Sequence, residues 1–525
     1  MSKVAKSAVI LMIVTILSKV LGFGREVVLS STYATSWYVD SYIVALSIPT
    51  IIFSSIGQSI STSVIPIYSG ILKENGQDDG NRFISNTINI TLAMFIVLLI
   101  LGLVFSKNLV RMFAIGLKGD RFALALDFTR ILLFGILFTA INYIMVAFLQ
   151  VHGNFKIPGL ISLPYSIVII IAIILSEKFS NIYILAYGTL LAVIVQPLFQ
   201  LPFAIKMGFK YKFIFKIKDK NINKMIKLII PVIIGASVWQ LNNLVDRTIA
   251  STFQEGTIAS FNYALKLYYF VQGLFITSIV TVIYPHLSNL LSEKRIYEFK
   301  KSIVKYINVM LLLVIPIAVG GIVLSVPVVR VIFERGEFTT SSTLMTSNIL
   351  SCYILGLISY GVSDIICRAL YSLEDTKSPM LNGIFMVGIN IALNIILSRG
   401  IGYTGLAIAS TVSSVFGMIA YFYMLRKRVG SFGITKILIV GIKCFVSAII
   451  MAIITKLTYS KLLYIAELGM IQLIIVLGIS ILVGAIIYSI SIFLLKIEEI
   501  EMIKEFLKKK IIKRKVINKK YVSKF

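Results

Sequence analysis

The sequence predicts an all-α polytopic membrane protein with about fourteen transmembrane helices, arranged as two parallel six-helix lobes and two additional C-terminal helices. Three observations lead to this fold class. The composition is too apolar for a soluble protein, the apolar residues form stretches long enough to cross a bilayer, and the first part of the chain recurs about 221 residues later. Together they favour a membrane protein built from a duplicated six-helix unit.

The composition excludes a soluble globular fold. Hydrophobic residues make up 58% of the 525 residues and charged residues 14%, whereas soluble domains carry roughly 45–50% and about 25%. The net charge is +28, which in a membrane protein is typical of cytoplasmic loops facing anionic membrane lipids, so we expect no nucleic-acid partner. No CxxC or HExxH spacing occurs, so the sequence supports neither a metal site nor a disulfide framework.

About fourteen apolar stretches reach the length of roughly 20 residues that crosses a bilayer. They lie at residues 7–30, 39–69, 83–106, 122–150, 158–177, 180–206, 224–253, 258–290, 301–325, 341–371, 380–398, 402–426, 436–457 and 466–495. The first stretch follows a short basic start and lacks a small-residue cleavage site, so we interpret it as a retained helix.

The distribution of Lys and Arg predicts that both termini are cytoplasmic. Basic residues concentrate in the sixth, eighth and twelfth connections and in the tail, which share one side in this orientation. The sixth connection is the richest, with Lys206, Lys210, Lys212, Lys216, Lys218, Lys220, Lys224 and Lys227. The third connection is also basic and opposes the assignment, but the balance favours it. The tail is either a lipid-surface helix or a disordered end.

An internal duplication organises the chain. Four pairs of residues recur at almost one spacing: Lys156 and Lys377, Pro158 and Pro379, Tyr42 and Tyr263, and Arg25 and Arg247. Because six helices separate the copies, both have the same orientation and form parallel repeats. We therefore predict lobes at residues 1–223 and 224–430, two additional transmembrane helices at 431–498, and a basic cytoplasmic tail at 499–525. Two such lobes around a cleft are the layout of an alternating-access transporter.

Ionisable residues inside the predicted spans mark candidate functional positions, because each costs about 2.5–3.5 kcal/mol at membrane depth. We predict Arg25, Lys19 and Lys266 as substrate-binding cations and Asp40 as a residue that orients a cation. Such cations suit an anionic head group such as a phosphate, which arginine binds through two donors and lysine as a point charge. The alternative is that Arg25 pairs with Glu26 or Asp40 and Lys19 extends to the membrane surface.

A second polar set consists of Asp246, Asn390, Asn394 and Ser410. Asn390 and Asn394 lie four residues apart and share one helix face. Oxygen ligands of this kind suit a hard cation such as Na⁺. Hydrogen bonding between membrane helices explains the same residues without an ion, so both interpretations stay open.

Several motifs resemble those of the MurJ (MviN) lipid II flippases, a family within the multidrug/oligosaccharidyl-lipid/polysaccharide exporter superfamily. They follow one another in order along nearly the whole chain: SKVLGFGRE at 18–26, VDSYIVALSIP at 39–49, SVIPI at 63–67, YPHLS at 284–288, FERGEFT at 333–339 and RALYSLEDTKSP at 368–379. The motifs are specific as a set, whereas any one of them alone is weak.

The resemblance implies that the chain moves undecaprenyl-linked disaccharide-pentapeptide from the cytoplasmic to the outer leaflet of the bacterial cell membrane for peptidoglycan synthesis. It implies that cleft arginines engage the diphosphate, that the last two helices hold the lipid tail, and that Asp246, Asn390, Asn394 and Ser410 resemble the family's sodium site. Lys19 and Lys266 stand where many members have arginine. After Pro49 the chain reads TIIFSSIGQ, without the paired arginines of proteobacterial members.

Other functions remain as alternatives. A flippase for another polyprenyl-linked sugar, such as a capsule, teichoic-acid or sporulation-related precursor, has the same architecture. An enzyme is not expected, because the loops are short and lack acidic or histidine constellations, and no GxxxxGK[ST] nucleotide motif occurs. The charges gather in equivalent helices of two lobes, which favours a carrier over a channel. We expect a monomer without an organic cofactor and with Na⁺ as the candidate coupling ion.

Overall fold

A computed structural model describes residues 3–465, 469–497 and 499. The predicted basic tail lies outside this part of the chain except for Glu499. Helices make up most of the described residues, and the longest are far longer than the roughly 20 residues that cross a bilayer. The fold class predicted from the sequence, an all-α polytopic membrane protein, is confirmed.

The described chain forms twenty α-helices. The first ten are α1 (Lys3–Tyr33), α2 (Trp37–Glu74), α3 (Gly76–Val104), α4 (Ser106–Phe113), α5 (Gly119–Leu133), α6 (Gly135–Val151), α7 (Lys156–Leu160), α8 (Ser162–Lys178), α9 (Tyr183–Lys206) and α10 (Lys220–Ala250). The others are α11 (Thr257–Val271), α12 (Thr277–Ser292), α13 (Ile296–Val323), α14 (Ser325–Phe333), α15 (Thr340–Ile354), α16 (Gly356–Ser372), α17 (Lys377–Ile401), α18 (Thr404–Val429), α19 (Ile434–Ile465) and α20 (Met470–Leu494). One π-helical turn, Gln272–Ile276, joins α11 to α12.

Among the described residues, eleven helices or helical runs are long and apolar enough to cross a membrane, where α7 with α8, α11 with α12, and α15 with α16 each count as one run. A twelfth span results if α5 and α6, bent by 41°, also count as one. The first and seventh predicted spans correspond to α1 and α10, each 31 residues long. A helix of that length extends about 46 Å, more than the roughly 30 Å hydrocarbon core. The predicted number of fourteen spans is therefore consistent with the described helices.

The chain divides into two compact units. The first comprises Met1–Lys266, Ile332–Thr346 and Val387–Leu406. Within it α2 packs against α3, α5, α6 and α10, and α1 packs against α7 and α8. Part of its core is a cluster of large apolar side chains that includes Phe53, Tyr68, Phe95 and Phe148. Burial of these aromatic rings fixes α2 at the centre of the unit.

The second unit comprises Leu267–Val331, Ser347–Met386 and Ala407–Phe525. Within it α13 packs against α16 and α19, and α19 packs against α20. The hydroxyl of the buried Tyr488 on α20 donates to the carbonyl of Leu312 on α13 at 2.9 Å, which satisfies a polar group at membrane depth. Because these units are defined by packing and not by the duplication, the lobe boundaries at residues 223 and 430 stay predictions.

Candidate functional site

A cavity of about 180 Å³ lies within the first unit. Helices α1, α2, α8, α10 and α11 line it, with apolar side chains on α2 and α8. The ionisable and amide side chains that line it are Arg25, Glu26, Arg247, Asn262 and Lys266. A pocket of this kind, mostly apolar with a few convergent polar groups, is the usual form of a ligand site.

Glu26 connects two helices at this cavity. Its carboxylate lies 2.7 Å from the guanidinium of Arg25 on the same helix and 3.3 Å from the ammonium of Lys266 on α11. The amide of Asn262, also on α11, donates to its second oxygen at 3.0 Å. Only 4% of the Glu26 surface is exposed. Charge pairing and hydrogen bonds therefore stabilise a carboxylate that burial alone disfavours.

Arg25 makes two contacts that orient its guanidinium. Besides the ion pair with Glu26, it lies over the ring of Tyr165 on α8, with 5.4 Å between the guanidinium carbon and the ring centroid. The side chain keeps 18% of its surface exposed. A planar guanidinium stacked on an aromatic ring is pre-oriented, so it loses little freedom when it binds an anion.

Arg247 is a cavity residue that the sequence analysis did not select. Its guanidinium donates to the backbone carbonyl of Ile43 on α2 at 3.3 Å, and its side chain lines the cavity with Arg25. The duplication in the sequence could have identified Arg247, because Arg25 and Arg247 are 222 residues apart, almost the repeat spacing. A repeat-related pair of arginines thus meets in one cavity.

The cavity is electropositive. Three cationic side chains, Arg25, Arg247 and Lys266, line it with one carboxylate, that of Glu26. The lining therefore carries a net charge of +2. Because the surrounding side chains are largely apolar, solvent screens this charge less than at an open surface. The arrangement favours an anion with several oxygen acceptors, such as a phosphate or diphosphate.

Two further predicted site residues, Lys19 and Asp40, are not among the side chains lining this cavity. Lys19 has an exposed side chain on α1, about two helical turns before Arg25. Asp40 is 3% exposed and accepts hydrogen bonds from the backbone N–H groups of Gly256 and Ala259, each at 2.8 Å. Asp40 thus caps the N-terminus of α11, where its carboxylate accepts from backbone N–H groups that have no partner within the helix.

Three residues of the second predicted set, Asp246, Asn390 and Asn394, lie in the first unit and are linked by hydrogen bonds. The amide of Asn394 donates to Asp246 at 2.6 Å and to the side-chain oxygen of Asn390 at 2.8 Å, which links α10 to α17. Asn242 donates to the other oxygen of Asp246 at 3.4 Å. Ser410 lies on α18 in the second unit. In the described part of the chain, no group of three or more His, Cys, Asp or Glu side chains could hold a metal ion.

Comparisons with known proteins identify a consistent set of relatives. A model of the family described as lipid II flippase MurJ matches residues 29–477. The probable lipid II flippase MurJ of Vibrio cholerae is 31% identical over 432 residues, which cover 79% of this chain and 82% of the relative. The lipid II flippase MurJ of Thermosipho africanus is 26% identical over 421 residues, covering 80% and 85%.

Solved structures have the same architecture. A structure described as lipid II flippase MurJ in an inward closed conformation matches with a TM-score of 0.78 and 28% identity, covering 92% of this chain and 98% of that chain. An inward-facing multidrug transporter of the MATE family matches with a TM-score of 0.66, covering 80% and 98%. At 13% identity this second likeness concerns the fold alone.

Proposed function

The chain belongs to the lipid II flippase MurJ family, and from this premise we propose that it moves lipid II, the undecaprenyl-diphosphate-linked peptidoglycan precursor, from the cytoplasmic to the outer leaflet. It is a multi-pass membrane transporter and not an enzyme. The observation that carries the proposal is the electropositive cavity inside the first unit. A diphosphate has the charge and the oxygen acceptors that this lining favours.

The cavity residues have separable roles in this proposal. Arg25 and Arg247 each offer a planar set of N–H donors that matches phosphate oxygens, whereas Lys266 acts as a point charge. Glu26 holds Arg25 and Lys266 at 2.7 and 3.3 Å. Because the substrate's oxygens compete with Glu26 for these cations, the carboxylate limits how tightly the diphosphate binds and so allows its release.

Transport proceeds by alternating access between the two leaflets, with both termini in the cytoplasm. The concentration of lysine in the connection before α10 and in the tail supports this orientation. An inside-negative membrane potential opposes outward movement of a positive cavity and favours its return. Each charge that crosses the membrane contributes about 2.3 kcal/mol per 100 mV, so the potential can reset the empty carrier.

A sodium ion is the proposed coupling ion. Asp246 and Asn390 each accept a hydrogen bond from the amide of Asn394, so one carboxylate and two side-chain amides are gathered at one place between α10 and α17. Carboxylate and amide oxygens are ligands that hard cations prefer. When bound, the ion would supply positive charge beside Asp246, and these three side chains would hold it.

Lipid II exposure in cells whose only lipid II flippase is this protein tests the proposal. An added enzyme that cleaves outward-facing lipid II reports its arrival at the outer leaflet. We expect exposure with the wild type, loss with Arg25→Ala, and retention with the control Arg82→Ala, because Arg82 is exposed and pairs with Asp79 at 3.4 Å. Folded wild type that exposes no lipid II would contradict this cargo and leave another polyprenyl-linked sugar as the substrate.

A further inference from the structure

The connection between α9 and α10 is basic and aromatic at once. Residues 206–220 contain six lysines and one aspartate, and between the lysines stand aromatic and branched apolar side chains. The aspartate, Asp219, caps α10 by accepting from the backbone N–H groups of Asn221 and Ile222. We call residues 207–219, which join the two helices without forming one, the basic loop. The charge of the basic loop is typical of a cytoplasmic connection, but a cytoplasmic position alone does not require its aromatic residues.

Side chains of α3 hold the backbone of the basic loop. Asn86 pairs with Lys216 in both directions, accepting from its backbone N–H at 2.8 Å and donating to its carbonyl at 3.0 Å. Asn89 donates to the carbonyl of Ile214 at 2.9 Å. Nearer the start of α3, Asn81 donates to the carbonyl of Gly208 at 2.8 Å. These amides replace the partners that a helix or a sheet would provide.

The contacts on α3 show the path of the loop. Gly208 meets Asn81, Ile214 meets Asn89, and Lys216 meets Asn86. The chain therefore runs along α3 away from its N-terminus, reaches furthest near residues 213–214, and then returns. Phe213 lies at this tip.

The length of the uncharged part of α3 indicates how deep in the membrane the tip of the loop lies. The uncharged part of α3, residues 83–104, spans roughly 33 Å, close to the roughly 30 Å hydrocarbon thickness. Asn86 and Asn89 stand one and two helical turns inside this part. Non-helical backbone at such a depth needs hydrogen-bond partners from protein, and the buried amides of Asn86 and Asn89, 3% and 8% exposed, supply them.

Most side chains of the basic loop are exposed. Phe213 is 82% exposed, and Tyr211, Phe215 and Ile217 also expose about half of their surfaces. The lysines between them are exposed as well. Acidic neighbours offset little of this charge: Asp78 lies 3.7 Å from Lys212, and Asp79 pairs with Arg82. Exposed aromatic rings combined with long cationic side chains are typical of a surface that meets lipid head groups.

We propose that the basic loop binds anionic phospholipids of the adjoining leaflet. Phe213 inserts among the upper acyl chains, and Lys210, Lys212, Lys216 and Lys218 contact the lipid phosphates. The positive charge of the loop is complementary to an anionic membrane surface. A loop that faced only water would not expose four large apolar side chains beside a membrane span. This inference is independent of the transported substrate.

The depth of Phe213 provides the first test. In the full chain, with Trp37→Phe and Trp239→Phe as background, Phe213→Trp introduces a single tryptophan whose fluorescence is measured in bilayers of phosphatidylglycerol brominated on the acyl chains. We expect strong quenching. The matched control is Tyr297→Trp, because Tyr297 is 76% exposed beside Arg295 and Glu298, and we expect little quenching there. Equal, weak quenching at both positions would place the loop in water and overturn the proposal.

The charge of the loop provides the second test. Four substitutions, Lys210→Gln, Lys212→Gln, Lys216→Gln and Lys218→Gln, are combined, and phosphatidylglycerol retained by the protein is counted by native mass spectrometry. We expect retention to fall on the order of tenfold, since each lysine near an anionic surface adds to binding.

The matched control removes the same charge elsewhere, with Lys107→Gln, Lys118→Gln, Lys178→Gln and Lys461→Gln, all exposed in the structure. We expect it to retain wild-type phosphatidylglycerol. Unchanged retention in the loop variant, or an equal loss in both variants, would show that the loop does not select anionic lipid. An equal loss of phosphatidylcholine from the loop variant would also overturn the proposal, because the contact would then not depend on charge.

Discussion

The Glu26 cluster and the Asp246 cluster each hold a carboxylate inside the first unit, but they surround it with different partners. Glu26 faces two cations, Arg25 and Lys266, at 2.7 and 3.3 Å. Asp246 accepts hydrogen bonds from the neutral amides of Asn394 and Asn242. The first arrangement belongs to a cavity lining of net positive charge, whereas the second places a carboxylate among amide groups. The lining around Glu26 thus suits an anion, whereas the Asp246 cluster offers carboxylate and amide oxygens of the kind that hard cations prefer.

Helix α10 contributes to both clusters through adjacent residues. Asp246 contacts Asn394 on α17, whereas Arg247 donates to the carbonyl of Ile43 on α2. Successive residues of an α-helix point about 100° apart, so one turn of α10 serves two sites. A change in the position of α10 therefore affects the anion cavity and the candidate cation site together. This shared helix is a physical route by which ion binding can influence substrate binding.

Among changes that distinguish the two clusters, the largest effect is expected for Arg247→Ala. A hydrogen bond to a charged group contributes about 1.5–3 kcal/mol, so loss of this arginine should lower lipid II exposure on the order of 10–100-fold. Arg247→Lys keeps the charge without the planar donors and should recover part of the activity. The measurement is the cleavage of outward-facing lipid II in cells. Wild-type exposure with Arg247→Ala would restrict the anion site to Arg25 and Lys266.

A smaller effect, on the free energy of unfolding, is expected for Glu26→Gln. Removing one member of a buried ion pair costs about 3–5 kcal/mol. Because Lys266 is 39% exposed, solvent screens part of the loss and we expect about 2 kcal/mol in the free energy of unfolding. Denaturant unfolding in detergent measures it.

The control for this change is Glu298→Gln, whose exposed pair with Arg295 should contribute less than about 1 kcal/mol. If both substitutions have the same small effect, Glu26 does not hold the two cations together. The hydrogen bonds of Asp246 would then be the only part of the comparison that remains.

The smallest effect is expected for sodium. If the Asp246 cluster binds Na⁺, the wild type should unfold at a higher temperature in NaCl than in KCl of equal concentration. The gain is about 1.4 kcal/mol when the ion concentration is ten times its dissociation constant. Asp246→Asn should remove this difference, while Asp79→Asn, at an exposed position on α3, should keep it. Equal unfolding temperatures of the wild type in both salts would identify the cluster as helix packing.

The sequence alone was sufficient for the fold class and the family. Apolar stretches of transmembrane length are local patterns, and the charge pattern around them depends only on neighbours in the chain, so both are readable without a structure. The duplication and the ordered motifs added the family, which the match over residues 29–477 supports. The same local information selected Arg25 and Lys266, which line the cavity, and also Lys19, which does not, because a charge at membrane depth is costly wherever the helix packs.

The tertiary structure decided which of these charges meet. Glu26 and Asn262 are 236 residues apart in the chain and only 3.0 Å apart in space, and Asp40 reaches a backbone N–H 216 residues away. It also placed Arg247 in the cavity and left Lys19 exposed outside the lining. Hydropathy determines that a helix lies in the membrane but not which face meets which neighbour, since that depends on side-chain packing between distant helices. The partners of each charge, and hence the sign of each site, follow from that packing.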